Sequence, residues 1–195
     1  MSALVYLHGY DDDVDTWDDP ATAIAPDGAT VVKLPGPLVL TSGSRAWFET
    51  DERTGPDAEQ IRVACAAVDD ALDAIEGRGV DRADIALVGF SQGAAVALIW
   101  ARTTARPSIG ALAAIAGWFP DAEGFDPFAS SSFAATRTLV AYGEDDDAVP
   151  ALLSRSAAKL LDRDGVDVTV VELETGHDPR PFVPSVRSWL AEAAG

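Results

Sequence analysis

The sequence predicts an α/β protein, a parallel sheet covered by helices on both faces. Three observations predict it. Six short apolar runs recur along the 195 residues. Longer segments with helical spacing of apolar residues lie between several of them, and such alternation argues for parallel strands joined by helices. A serine, a group of acids and a histidine each follow directly after an apolar run, where open parallel sheets place their ligands.

The elements follow in order. Ala3–Leu7 is the first strand-like run. The acidic stretch Asp11–Asp19 around Trp17 reads as a solvated loop. Thr30–Leu34 is the second run, and Pro35-Gly36-Pro37 ends it. The clearest helix spans about Asp57–Ile75. Ile61, Ala64, Cys65, Val68, Leu72 and Ile75 form its apolar stripe, with Asp57, Asp69, Asp70 and Asp73 on the other side. Ile85–Phe90 is the third run, and a helix follows Gln92. Ala111–Ala116 and Thr138–Tyr142 come next, then a helix from Pro150 to Asp162 with Gly165 as its stop. Val168–Leu173 is the last run, and Pro184–Ala193 the closing helix. No repeat or linker divides the chain, and its length suits a single domain over residues 1–195.

Composition excludes several function classes. A net charge of -18 repels nucleic acid and anionic lipid, and no Lys/Arg-rich run offers an exception. Cys65 is the one cysteine, so no internal disulfide forms and a reducing, cytoplasmic compartment is expected. The N-terminal stretch has no basic residue ahead of a long apolar segment, unlike a secretory signal. The longest apolar runs fall far short of a membrane span, so no stable membrane association is expected. Asp11, Asp13 and Asp15 open like a calcium loop. Thr16 stands where that loop needs glycine and Thr22 where it needs glutamate, so the motif fails. No C-x-x-C or H-x-x-x-H pair points to zinc, and the glycine-rich segments match no nucleotide loop. Neither a metal nor a cofactor is expected.

The chemistry concentrates after the apolar runs. Gly89-Phe90-Ser91-Gln92-Gly93 fits the G-x-S-x-G nucleophile elbow, and it lies between a strand and a helix as that motif requires. In such a turn the serine is held at a strained apex, and the flanking positions tolerate little beyond glycine. The helix beginning at Gln92 aims free N–H groups and its positive dipole end at the site, which favours a developing oxyanion. The chain has two histidines, His8 and His177. His177 follows both the serine and the acids in the order such folds use, so it is the expected base. His8 is expected to brace its loop by hydrogen bonding. Asp145, Asp146 and Asp147 are adjacent, and spacing alone leaves all three open as the acid.

These pieces resemble the phospholipase/carboxylesterase group of α/β-hydrolases, which includes the acyl-protein thioesterases. The matching segments span nearly the whole chain: LHGY (7–10), PGP (35–37), RAWFE (45–49), GFSQGAAVAL (89–98), AIAGWFP (114–120), YGEDDDAVP (142–150) and GHD (176–178). The resemblance implies an α/β-hydrolase fold, a three-layer αβα sandwich. The extra N-terminal strands of many such proteins are missing here, which leaves about six parallel strands, and no segment reads as a large lid. The group's acid pattern, laid on Gly143 and Pro150, selects Asp146. The resemblance also implies an oxyanion hole from the backbone N–H groups of Tyr10 and Gln92. It places Trp47 and Phe48 beside the substrate pocket, against the plainer expectation of core packing. One departure is Asp11, where relatives usually carry glycine. It removes a flexible position beside the oxyanion loop and adds a charge that would repel an oxyanion if turned inward.

The implied function is a serine hydrolase that cleaves carboxylic esters of small or medium acyl chain through Ser91, His177 and Asp146. An acyl thioesterase or lysophospholipase uses the same residues. A non-catalytic binding protein on this fold is the alternative of another class. The expected partner is a small-molecule ester or thioester, and a homodimer is compatible with the resemblance.

Overall fold

A computed structural model of the chain describes residues 1–12, 18–51, 55–104, 108–122 and 136–192. Six strands form one parallel sheet: β1 (Ala3–Leu7), β2 (Thr30–Leu34), β7 (Ile85–Phe90), β8 (Ala111–Ile115), β9 (Arg137–Gly143) and β10 (Val168–Leu173). Their spatial order is β10-β9-β8-β7-β1-β2, with every neighbouring pair parallel. Two small antiparallel ladders lie between β2 and β7 in the chain. One pairs β3 (Leu38–Val39) with β4 (Arg45–Ala46), the other β5 (Thr50–Asp51) with β6 (Gly55–Pro56).

The central strands β1, β7 and β8 are buried at every residue. Strands covered on both faces read as continuous apolar runs, which is how they appear in the sequence. The edges β2 and β10 are more exposed and carry polar residues. Side chains alternate between the two faces. Val5, Leu7, Leu87, Leu112 and Val140 pack against α2 (Ala58–Glu76), α3 (Gln92–Thr103) and α4 (Ala151–Arg163). Leu4, Tyr6, Val88, Ala113 and Leu139 face α1 (Asp18–Ile24) and α5 (Val183–Glu192). The result is a three-layer αβα sandwich.

Helix α2 begins where its cap dictates. The Asp57 side chain accepts a 3.0 Å hydrogen bond from the Gln60 N–H, an arrangement worth about 1 kcal/mol. The predicted stripe of Ile61, Ala64, Val68, Leu72 and Ile75 is buried, while Cys65 is half-buried. Helix α3 is different: every residue from Gln92 to Ala101 is buried. A helix that is apolar all round belongs inside the protein. It packs on the sheet and against α2, and the Trp100 indole N–H donates to Asp69 of α2 at 2.9 Å.

Two expectations need correction. The loop read over Asp11–Asp19 overran its end, because Asp18 and Asp19 open α1. Pro20 in its first turn costs a helix little, since those N–H groups lack intrahelical acceptors. Trp17 and residues 13–16 lie outside the described residues, as does Ala193 at the expected end of the last helix. The fourth run ends at Ile115, because Ala116 turns to a φ of 52°. Among the described residues, no helix is long and apolar enough to cross a membrane, and no group of three His, Cys, Asp or Glu side chains is arranged to hold a metal.

Candidate active site

The carboxyl ends of β1, β7, β9 and β10 meet at one rim. Ser91 follows β7 directly, with φ 52° and ψ −119°. A left-handed backbone at a serine costs about 1–3 kcal/mol and persists only where its surroundings enforce it. Here the enforcement is visible. The Ser91 N–H donates to the Ile115 carbonyl at 2.8 Å, and the Ser91 carbonyl accepts from Ala95 at 3.1 Å. The flanking glycines are spatial requirements. A Cβ at Gly89 would sit 2.6 Å from the Ala94 backbone, and one at Gly93 would sit 2.5 Å from the His8 carbonyl oxygen. Strand and helix therefore close on each other only without side chains at these positions.

His177 comes to Ser91 from the loop after β10. Its Nε2 lies 2.9 Å from Ser91 Oγ, and its Nδ1 lies 2.7 Å from Asp146 Oδ2. The imidazole stacks obliquely on Phe90, with ring centroids 4.7 Å apart. The loops after β9 and β10 are stitched together: Glu144 N–H donates to Leu173 O at 2.9 Å and Asp145 N–H to Thr175 O at 3.1 Å. Gly143 permits this closeness, since a Cβ there would fall on the Thr175 carbonyl oxygen.

Burial separates the three adjacent acids. Asp146 is buried, while Asp145 and Asp147 are exposed. Its Oδ1 accepts from the N–H groups of Ala148 at 3.0 Å and Val149 at 2.7 Å. That leaves Oδ2 for His177. Asp178, next to the histidine, is occupied elsewhere. Hydrogen bonds from Arg180 hold its carboxyl below the usual range.

The other predicted residues fall into two groups. Tyr10 and Gln92 border a cleft of about 280 Å³ over Ser91, together with Thr50, Trp118, Ala148 and Val149. The N–H of Gln92 is the first of α3, where an intrahelical acceptor is lacking. Trp47 and Phe48 do not border this cleft, which corrects the expectation for them. Both are fully buried in the core. Their direction is set by hydrogen bonds. The Trp47 indole N–H donates to the His8 carbonyl at 2.8 Å, and the Gln92 carboxamide binds the Trp47 N–H and the Phe48 carbonyl at 2.8 and 2.7 Å. Trp118 is the aromatic wall that sequence reading missed. It lies inside the AIAGWFP segment, but nothing in that string signals the positive φ of Ala116 two residues before it.

His8 braces its loop, as expected. The Gly36 N–H can only donate, so His8 Nε2 accepts at 2.8 Å, and the Nδ1–H donates to Gly9 O at 2.7 Å. The ring is therefore held neutral with its proton on Nδ1. Asp11 keeps the left-handed backbone of a glycine position, with φ 54°. Its carboxylate accepts hydrogen bonds from Ser44 and Ser42, which hold its pKa below the ordinary value.

Similarity to known proteins gives the family. A family model described as phospholipase/carboxylesterase matches residues 1–188. The chain belongs to the phospholipase/carboxylesterase family. It is a hydrolase of that family with an α/β-hydrolase fold. A carboxylesterase from Mesorhizobium loti is 25% identical, with a TM-score of 0.81 over 97% of this chain and 88% of the other. The Bacillus cereus carboxylesterase is 21% identical, with a TM-score of 0.82 over 98% of this chain and 88% of its own. SOBER1 of Arabidopsis thaliana is 21% identical, with a TM-score of 0.79 over 100% of this chain and 99% of its own. The last two likenesses speak for the fold alone.

Proposed function

We propose that the protein hydrolyses carboxylic esters of small or medium acyl chain through an acyl-enzyme on Ser91. The observation that carries this reading is the continuous hydrogen-bonded line from Ser91 Oγ through His177 to Asp146 Oδ2, at 2.9 and 2.7 Å. Asp146 holds the Nδ1–H tautomer of His177 and stabilises the imidazolium when it forms. Nε2 then takes the hydroxyl proton as Ser91 Oγ attacks the ester carbonyl. The N–H groups of Tyr10 and Gln92 receive the oxyanion. Collapse of the tetrahedral intermediate expels the alcohol, protonated by His177, and leaves the acyl group on Ser91. Water, activated by the same histidine, attacks that acyl group and releases the acid.

The cleft supports the size class. About 280 Å³ is at or just below the range of small-molecule sites. A thioester passes through the same steps with a thiol as leaving group. The single cysteine supports a reducing, cytoplasmic setting.

The test is hydrolysis of p-nitrophenyl esters from acetate to palmitate, with a matching thioester series, by wild type and Ser91→Ala. Short and medium esters should turn over, and Ser91→Ala should lose at least about 10⁴-fold in kcat. A wild type inert towards both series, with no fluorophosphonate label on Ser91, would remove the hydrolase mechanism in favour of a binding role.

A further inference from the structure

We propose that the Trp47 indole and the Gln92 carboxamide are positioning residues that tie the two oxyanion N–H donors into one rigid unit. This rests on the hydrolase reading above and goes beyond it. The two donors come from different parts of the chain. Tyr10 N–H follows β1, and Gln92 N–H opens α3 after β7. Oxyanion stabilisation needs both aimed at one point before the charge develops.

The Tyr10 N–H belongs to the Gly9–Tyr10 peptide. In a trans peptide the N–H and C=O point in opposite directions, so fixing one fixes the other. The Gly9 carbonyl accepts from His8 Nδ1–H at 2.7 Å. Gly36 N–H holds the far side of that ring at 2.8 Å. The preceding carbonyl, that of His8, accepts from the Trp47 indole at 2.8 Å. Two fixed ring N–H groups thus grip the carbonyls on either side of Gly9. The Trp47 and His8 rings also touch, with centroids 5.2 Å apart.

The second donor is tied to the same tryptophan. Gln92 Oε1 accepts from the Trp47 N–H at 2.8 Å, and Gln92 Nε2 donates to the Phe48 carbonyl at 2.7 Å. All of these groups are buried, with Gln92 4% and Trp47 0% exposed. Gln92 therefore supplies a donor with its backbone and, with its side chain, anchors the residue that aims the other donor. Trp47 does not line the cleft and is fully buried, so it acts through the groups it hydrogen-bonds and not on the acyl chain.

Trp47→Phe is the decisive variant. It removes the indole N–H and keeps an aromatic ring in the core. We expect kcat for a short ester to fall about ten- to a hundredfold, less than the ~10²–10³ of deleting a donor outright, with KM within about threefold. Inhibition by an alkyl trifluoromethyl ketone gives the readout that a purely structural role would not move. Ser91 Oγ adds to its carbonyl carbon, the hydroxyl proton passes to His177, and the hemiketal oxyanion enters the hole. Its Ki should rise by the same factor as kcat falls, while inhibition by the corresponding carboxylic acid product stays unchanged. Gln92→Glu is the second variant. The introduced carboxylate keeps the acceptor for Trp47 N–H but faces the Phe48 carbonyl, so kcat should fall and ketone Ki rise at least as much as in Trp47→Phe. A lower melting temperature with unchanged kcat and ketone Ki in both variants would overturn the proposal and leave the hydrolase reading standing. An inert, unlabelled wild type would overturn both.

Discussion

Replacing Asp146 by asparagine separates orientation from packing at this site. Asp146 Oδ1 accepts from the N–H groups of Ala148 and Val149 at 3.0 and 2.7 Å. An asparagine must keep its carbonyl oxygen there, because an NH₂ group would face two donors. Its NH₂ is then directed at His177 Nδ1, which now lies 2.7 Å from Oδ2. The amide can only donate, so Nδ1 must accept and the ring proton moves to Nε2. That places a donor against Ser91 Oγ, where the reaction needs a base. The loop keeps both backbone hydrogen bonds, so the fold should survive. We expect kcat/KM for p-nitrophenyl acetate to fall about 10⁴-fold, roughly 5.5 kcal/mol of transition-state stabilisation. Thermal melting should confirm a folded variant. Asp145→Asn and Asp147→Asn, at exposed positions, should stay within about twofold of wild type. An Asp146→Asn enzyme within tenfold of wild type would refute the tautomer argument.

Two further predictions concern the fold. Gly93→Ala would put a Cβ 2.5 Å from the His8 carbonyl oxygen and closer still to that of Leu7, both main-chain atoms at the end of β1. Neither can move without breaking the elbow, so the urea midpoint should drop by the equivalent of about 3 kcal/mol or more, and a wild-type midpoint would contradict this. Burial, and secondarily Asp69, push the Cys65 thiol up to about 12, so its thiolate is scarce at pH 8 and Ellman's reagent should label native protein far more slowly than unfolded protein. A thiol whose folded pKa is raised leaves stability intact below the unfolded value and drains it as pH climbs towards the folded one. Wild type should therefore lose midpoint relative to Cys65→Ala between about pH 9 and 12.

Much of the fold was legible because burial wrote it plainly. The central strands are covered on both faces, so Ile85–Phe90 and Ala3–Leu7 have no polar interruption and their ends are sharp. Helix α2 has one buried stripe, which periodicity locates, whereas Asp57, read as part of its polar side, caps it instead. The short elements lack such a signal. Helix α1 has seven residues and opens on Asp18-Asp19-Pro20, in the middle of an acidic stretch. The two-residue ladders are too short for any period to register. Ser91 and His177 were legible from chain order and from their place after strands. The choice of Asp146 among three neighbours came from the family pattern, and the physical distinction is burial with two backbone donors on one oxygen.

What stayed hidden is the direction in which side chains point. Trp47 and Phe48 sit in a segment near the reactive rim, and a large aromatic there fits a pocket wall as well as a core. The choice is made by Gln92, 45 residues away from Trp47 in sequence, and by the His8 carbonyl, 39 residues away. No local pattern encodes such pairs. Asp11 makes the same point electrostatically. A carboxylate beside an oxyanion loop looks harmful when only its position is known. Its left-handed backbone accompanies hydrogen bonds from Ser42 and Ser44, whose hydroxyls stabilise the charge. Aspartate is among the few residues other than glycine that accept this conformation. The Asp11 side chain thus acts as a clamp: it joins the Asp12–Arg45 backbone pair, at 3.1 and 2.7 Å, in fastening the loop after β1 to the β3–β4 hairpin. An acidic residue can stand beside the proposed oxyanion site because its charge has partners of its own and its backbone holds it there.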